Sequence, residues 1–331
     1  EEAGIDAAEF WSELYYGDIP HSYEETRSSN HVDMLASGIF ASSHINSVSE
    51  TFLHEVADGW HSFVPDDVQR EIANKRGAGC ASGILNAPDL SFDPSTDEAL
   101  ITHFDHLSFP QGKRRNKWAF QERMGLREDD QACLFFWPSR LDPVQKGPQL
   151  LSDLLYEFIS APGHEHVQIA IVANGTHQPY FHDIIRMHDL MGQVAICDFD
   201  EELSRLGYAA SDFMIMPSLF EPCGLPQMIA PIYGSLPIVH ATGGLRDTVE
   251  HLNVAAETGN GFVFEHHDVT GLRWALEQAL DFFKLAPPVK EHHVRRIIQD
   301  ARQRFNHGET ARAYIKIYNR ILGQSILEDK E

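Results

Sequence analysis

Arg140 and Lys146 are the two cations of Ser139-Arg140-Leu141-Asp142-Pro143-Val144-Gln145-Lys146-Gly147, directly after an apolar run, Cys133 to Trp137. An Arg fork and a compact Lys charge ahead of a helix suit a diphosphate, since both donate to anionic oxygens. The plain alternative is a pair of surface cations near a turn. A second stretch, Pro217-Ser218-Leu219-Phe220-Glu221-Pro222-Cys223-Gly224-Leu225-Pro226-Gln227, separates the apolar run Phe213–Met216 from a helix-like run, Met228–Tyr233. A chain that breaks at Pro217, turns at Gly224 and enters a helix at Pro226 can hold an anion on unpaired backbone N–H groups. Pro226 costs nothing there, because a first-turn N–H has no intrahelical partner. Glu221 stands at the mouth of that turn. A carboxylate beside an anion site is better suited to hydroxyl groups attached to the anion; the bland reading is a corner with an exposed Glu. A third stretch, His240-Ala241-Thr242-Gly243-Gly244-Leu245-Arg246-Asp247-Thr248-Val249, places Gly243-Gly244 before a helix. That pair either admits a ligand close to the backbone or makes a tight turn.

The elements around these stretches give the fold class. Cys133–Trp137, Val167–Val172, Val194–Cys197, Phe213–Met216, Leu236–Val239 and Gly261–Phe264 are continuous apolar runs of buried-strand length. Helical segments alternate with them, from about Gln149 to Ile159, Tyr180 to Leu190 and Glu201 to Ala209. That alternation predicts a doubly wound α/β domain, a parallel sheet covered on both faces, over about residues 128–285. All three stretches lie after strands, where such sheets bind ligands. Before it, a helix over about 30–41, a short strand at His44–Ser49 and a helix or turn at Thr51–Ala57 form no clean repeat, and residues 1–30 are acidic and aromatic without period. The division falls at about 108: a partial first domain over 1–108, a second over 109–331. The basic run Lys113-Arg114-Arg115-Asn116-Lys117 reads as a solvated linker or helix start. A final helix, about 306–323, has a capping-box variant at Asn306 and Glu309 and an apolar face that needs a partner.

The 331 residues carry a formal charge of −23, which argues against nucleic acid or an anionic membrane as partner. Four dispersed cysteines suit a reduced, cytoplasmic setting. No apolar run approaches ~18 residues, so no membrane span is expected. The histidines show no second ligand cluster at metal spacing, so no metal is expected. Asp198-Phe199-Asp200 matches the Asp-x-Asp of metal-dependent transferases, but a strand-to-helix turn wants acids for its own reasons.

The run Phe213–Val249 resembles the donor domain of bacterial glycogen synthases and plant starch synthases, glycosyltransferase family 5. Ser139–Gly147 resembles the same family's Arg/Lys phosphate motif, Gly83–Asp89 with Phe92–Leu100 its Asn-containing element, and Ile45–Glu55 its Asn-Thr-Val-Ser element. The resemblance implies a GT-B architecture, two Rossmann-like domains with the last helix crossing back to the first. It implies retaining transfer of glucose from ADP-glucose to the 4-hydroxyl of an α-1,4-glucan, with no metal and no cofactor beyond the donor. Arg140 and Lys146 then neutralise the leaving diphosphate, joined by N–H groups of the helix starting near Leu225 within the Pro222-Cys223-Gly224-Leu225-Pro226 turn. Glu221 holds hydroxyls of the transferred glucose, Asn86 reaches the same sugar, Phe199 stands where the family stacks a Tyr on adenine, and Gly243 and Gly244 line the site. The partners implied are a nucleotide sugar and an α-glucan, in the cytoplasm or, for a plant or alga, the plastid; oligomeric state is not legible.

Several positions depart from the family pattern. The Arg140–Lys146 spacing is a residue longer than in many members, with Pro143 inserted. Leu219 replaces the usual Arg, Pro226 the usual Thr, and Asn86 is followed by Ala87-Pro88. Pro226 is shared with the related family 4, whose second Glu is here Ile229; a family 4 type enzyme with another donor is the neighbouring alternative. A non-catalytic, glucan-associated protein that keeps the nucleotide-sugar fold is the other. Family 5 also opens on Lys-x-Gly-Gly-Leu, whereas the first lysine here is Lys75 and the first Gly-Gly is Gly243-Gly244. The expectation is a chain lacking about half its first domain, which binds donor but is inactive alone.

Overall fold

The computed structural model describes residues 33–326; the acidic, aromatic stretch over 1–30 lies outside them. The chain divides into two compact units, with the break between Ile84 and Leu85. In the first, helix α1 (Met34–Ala41) leads to β1 (Ile45–Ser47), α2 (Glu50–Ala57), α3 (Asp66–Gly77) and β2 (Ala81–Gly83). The strands pair in parallel, Ile45 opposite Ala81. Ser49 starts α2 by accepting from the Phe52 N–H at 2.9 Å, an N-cap that stops the strand and turns the chain.

The second unit is built on six parallel strands. Helix α4 (Phe109–Met124) precedes β3 (Cys133–Trp137), α5 (Pro148–Ile159), β4 (Val167–Val172), α6 (Gln178–Met187), β5 (Val194–Cys197), α7 (Glu201–Ala210) and β6 (Phe213–Met216). Then come α8 (Pro226–Ile232), β7 (Leu236–His240), α9 (Gly243–Thr248), β8 (Phe262–Phe264), α10 (Val269–Phe283), α11 (Pro287–Arg304) and α12 (His307–Leu322). The sheet order is β5-β4-β3-β6-β7-β8, all parallel. Every residue of β3, β4, β6 and β7 is buried, which is why these strands read as unbroken apolar runs rather than as alternation. Order reverses beside β3, where β6 lies on the side opposite β4. The doubly wound expectation is met. None of the side chains of α12 is buried. No helix among the described residues is long and apolar enough to cross a membrane.

Of the two readings of the basic run, linker or helix start, the second holds, and within the run only Arg114 and Arg115 face solvent. It lies inside α4, and Lys113, Asn116 and Lys117 are buried together with Phe120. The spacing i, i+3, i+4, i+7 puts these four on one helical face, so two lysine stems pack inward with the aromatic ring. Lys113 Nζ donates to the carbonyls of Ala209 at 3.1 Å, Ser211 at 2.7 Å and Tyr233 at 3.0 Å. Lys117 Nζ donates to Ala132 O at 2.8 Å and to the Asp212 carboxylate at 2.6 Å. One helix thereby ties the end of α7, the start of β6 and the end of α8.

Burial pushes the Lys113 ammonium down from 10.5 to about 7, Asp212 opposing and Lys117 adding to the drop. Lys113→Met leaves three buried carbonyls without their donor and should lower stability by about 2–3 kcal/mol, read as a shifted urea midpoint at constant m. Between pH 7 and 10.5 the unfolded chain binds the Lys113 proton and the folded chain has released it, so wild-type stability gains with rising pH. The gap to Lys113→Met should therefore widen from pH 7 to pH 10; a constant gap contradicts the assignment.

Candidate active site

The loops after β3 and β6 leave adjacent strands at the point where strand order reverses, the place at which an open parallel sheet parts to admit a ligand. Asp142 shapes the first loop: its Oδ1 accepts from the N–H groups of Val144 at 2.9 Å and Gln145 at 3.1 Å, and its carbonyl from Lys146 N at 2.8 Å. The loops are joined by Leu219 N donating to Gln145 O at 2.8 Å. They come so close at Gly147, with φ of +67°, that a Cβ there would lie 2.4 Å from Pro217 O. The second loop is propped from beneath by two histidines: His240 Nδ1 donates to Ser218 O and His267 Nε2 to Pro217 O, each at 2.9 Å. Burial holds the His267 pKa below its usual value, against the Pro217 carbonyl that favours the charged ring.

Lys146 and Glu221 form an ion pair between these loops, with only 9% and 5% of each residue exposed. Ser218 Oγ adds a second donor to Glu221 Oε2 at 3.2 Å. The Glu221 backbone is fixed too, its carbonyl accepting from Gly244 N at 2.8 Å. Gly244 lies so close that a Cβ would sit 2.1 Å from Cys223 O, so the Gly243-Gly244 pair serves loop-to-loop approach. The corner of Pro222-Cys223-Gly224-Leu225 is held by Gln227, whose amide nitrogen donates to Cys223 O at 2.8 Å, Gly224 O at 3.1 Å and Thr248 Oγ1 at 3.2 Å. Pro226 is the first residue of α8, Leu225 its exposed N-cap, and no side chain caps the helix. Glu221 is thus not the exposed corner carboxylate that the bland reading supplies.

The two cations of the first loop part company. Lys146 is buried, whereas the Arg140 side chain is 70% exposed, 3.4 Å from Gln145 Oε1 and 3.8 Å from Asp142 Oδ2. Arg140 lines a cavity of about 770 Å³ together with Leu141, Asn174, Thr176 and Phe199. The exposed Phe199 ring stands at the end of β5, its N–H donating to Asn174 Oδ1 at 2.9 Å. The flanking acids have separate tasks: Asp200 caps α7 through Leu203 N at 2.7 Å, and Asp198 accepts from Gln178 Nε2 at 3.0 Å. No group of three or more His, Cys, Asp or Glu converges at metal-binding distance among the described residues. Asn86, exposed in a segment without helix or strand, directs its backbone N–H at the Cys223 thiol, whose pKa burial raises and that N–H lowers.

The structure thus brings Lys146 to Glu221, Arg140 to Phe199, and Asn86 to Cys223. Sequence reasoning missed Asp142, Ser218, Gln227, His240 and His267. Asp142-Pro143 carried a turn signal, Asp accepting from N–H groups two and three residues on. The others only support the loops, and nothing in their spacing marks them.

The family model described as glycosyl transferases group 1 matches residues 132–281. A glycogen synthase of Bacillus cytotoxicus is 32% identical over 93% of this chain, which covers 62% of that protein. A glycogen synthase of Xanthomonas euvesicatoria is 37% identical over 77% of this chain and 47% of its own length. The chain therefore spans about half to three-fifths of these relatives. Among solved structures, the catalytic domain of starch synthase IV from Arabidopsis thaliana bound to ADP and acarbose superposes with a TM-score of 0.79 at 29% identity, covering 97% of this chain and 63% of that one.

Removing one member of a buried pair strands the other charge. Lys146→Met should cost about 3–5 kcal/mol of stability, and Glu221→Gln should cost less, since Ser218 still bonds its oxygen. The double variant Lys146→Met/Glu221→Gln should regain part of the Lys146→Met loss in chemical denaturation. Additive losses would show that the pair is not energetically coupled.

Proposed function

Since a glycosyl transferases group 1 domain occupies residues 132–281 and homology to glycogen synthases runs over most of the chain, we propose that it carries the donor-binding machinery of a retaining glucosyltransferase that extends an α-1,4-glucan from ADP-glucose. The observation that supports this best is the junction of two unlike environments at one sheet edge. On one side is an open cavity with an arginine and an exposed aromatic ring; on the other, a buried carboxylate held by a lysine. A nucleoside diphosphate sugar has this division in its own chemistry: an aromatic base, two anionic phosphates, then a ring of hydroxyls. In this reading Phe199 stacks on the base, Arg140 takes the phosphates, and Lys146 turns from Glu221 towards the leaving diphosphate. The freed Glu221 oxygens accept from sugar hydroxyls, with Asn86 beside them. Charge developing on the departing phosphate is met by Arg140 and by Lys146 once it has turned, both positioned before the bond breaks, which is where electrostatic catalysis gains most. The chemistry needs no metal, because Arg140 and Lys146 supply the positive charge. Binding of ADP by the Arabidopsis starch synthase domain supports the choice of adenine.

Titration of the chain with ADP-glucose and UDP-glucose tests the donor. ADP-glucose should bind more tightly, and equal affinities would overturn the adenine assignment. Arg140→Ala should weaken ADP binding about tenfold or more, the loss of a charge-assisted hydrogen bond. Phe199→Ala should weaken it by about 1–3 kcal/mol, the usual worth of a base stacked on an aromatic ring. In full-length protein given labelled ADP-glucose and a maltooligosaccharide, Glu221→Ala should lose rate far more than donor affinity. Tight binding with no transfer by the wild type would favour a non-catalytic role, and loss of binding on adding a chelator would favour a metal-dependent enzyme.

A further inference from the structure

The segment from Leu85 to Asp97, which carries Asn86, has no helix or strand of its own, yet it is fastened at several points to the rest of the second unit. Arg205, on α7, supplies most of the fastening. Its guanidinium donates to Ser91 O at 3.2 Å, Ser91 Oγ at 2.9 Å and Asp97 Oδ2 at 3.3 Å. Its carbon sits 4.1 Å from the centroid of the Phe92 ring, a stacking contact that a lysine would not reproduce. Asp97 is buried, and the same oxygen accepts from Tyr233 Oη at 2.5 Å, at the end of α8. Arg302 pairs with Asp93, and Thr310 Oγ1 donates to Leu85 O at 2.9 Å. Next to Leu85 in this strap, Asn86 directs its backbone N–H at Cys223, two residues beyond Glu221.

We infer that Arg205 is a positioning residue for the sugar end of the donor site: it clamps Ser91, Phe92 and Asp97 so that Asn86 is presented beside Glu221. This rests on the donor-site reading above. Arg205 belongs neither to the cavity with Phe199 nor to the Lys146–Glu221 pair, so it acts on the sugar and leaves the nucleotide alone. A surface arginine bonded only to acids would be expendable; this one bonds a backbone carbonyl, a hydroxyl, a carboxylate and a ring of the same short segment.

The affinity of the chain for ADP and for ADP-glucose, measured separately by calorimetry, tests the clamp. Arg205→Met should reduce the preference for ADP-glucose over ADP about fivefold to tenfold, while ADP affinity changes less than about twofold. Asn86→Ala should do the same, and the double variant Arg205→Met/Asn86→Ala should lose no more than Asn86→Ala alone. Additive losses would mean that Arg205 does not act through Asn86 and would overturn the inference. If Arg205→Met does not fold, Tyr233→Phe, which frees Asp97 from α8, carries the same comparison. A wild-type chain that binds ADP and ADP-glucose equally overturns the sugar-site reading and the clamp with it. A wild-type preference left intact by both variants overturns the clamp alone.

Discussion

The buried contact between Lys146 and Glu221 is the constraint on which the rest of the candidate site depends. Each charge lies on a loop that leaves a different strand, and neither is tolerable out of water without the other. Their pairing fixes the separation of the loops, which the backbone bond from Leu219 to Gln145 and the close approach at Gly147 then reinforce. A parallel sheet alone places two loops side by side at its reversal point. It does not decide how far apart they stand, and here a charge pair decides it.

The same economy of charge runs through the second unit. The chain has 49 acids against 26 lysines and arginines, so a buried cation is not short of carboxylates to pair with. Even so, Lys113 and Lys117 spend most of their donors on backbone carbonyls at the ends of helices and strands. A carbonyl left over at a helix end carries partial negative charge, and an ammonium with three donors can satisfy several at once. These lysines lock α4 to α7 and β6 from below the sheet, while Lys146 works above it. Lys113 and Lys117, two members of a basic run that reads in the sequence as a solvated linker or helix start, are internal struts.

How much of this the sequence shows depends on the kind of force involved. The six strands of the large sheet were legible to within a residue or so, because burial on both faces leaves continuous apolar runs. The short helices α5, α6 and α7 between them were legible for the complementary reason. Helices α3, α10 and α11 were not read; α3 and α11 are dominated by charged and polar residues, with a handful of buried side chains each. At the site, residue types and strand-end positions pointed to Arg140, Lys146 and Glu221. Their partners could not be read, since Lys146 to Glu221 and Asn86 to Cys223 span long stretches of chain. Nor does sequence distinguish the exposed Arg140 from the buried Lys146 of one loop; only the turn made by Asp142 sends one outward and the other in.

That split between Arg140 and Lys146 bears on how such a site could change state. An exposed arginine at a cavity rim can meet an incoming anion without first breaking a buried ion pair. A buried lysine can join only by exchanging one negative partner for another, and Glu221 holds that place meanwhile. On the proposed reading the exchange is nearly balanced: the lysine gives up a carboxylate for a phosphate, and the carboxylate gives up an ammonium for hydroxyl donors, with Ser218 bonded to it throughout. Neither charge is uncovered along the way if the phosphate and sugar arrive together, but a nucleotide without its sugar frees Glu221 and offers it nothing. Unpaired buried carboxylate is costly, so the pair penalises the nucleotide alone relative to the complete nucleotide sugar. Discrimination for the whole donor then comes from a contact the donor must break.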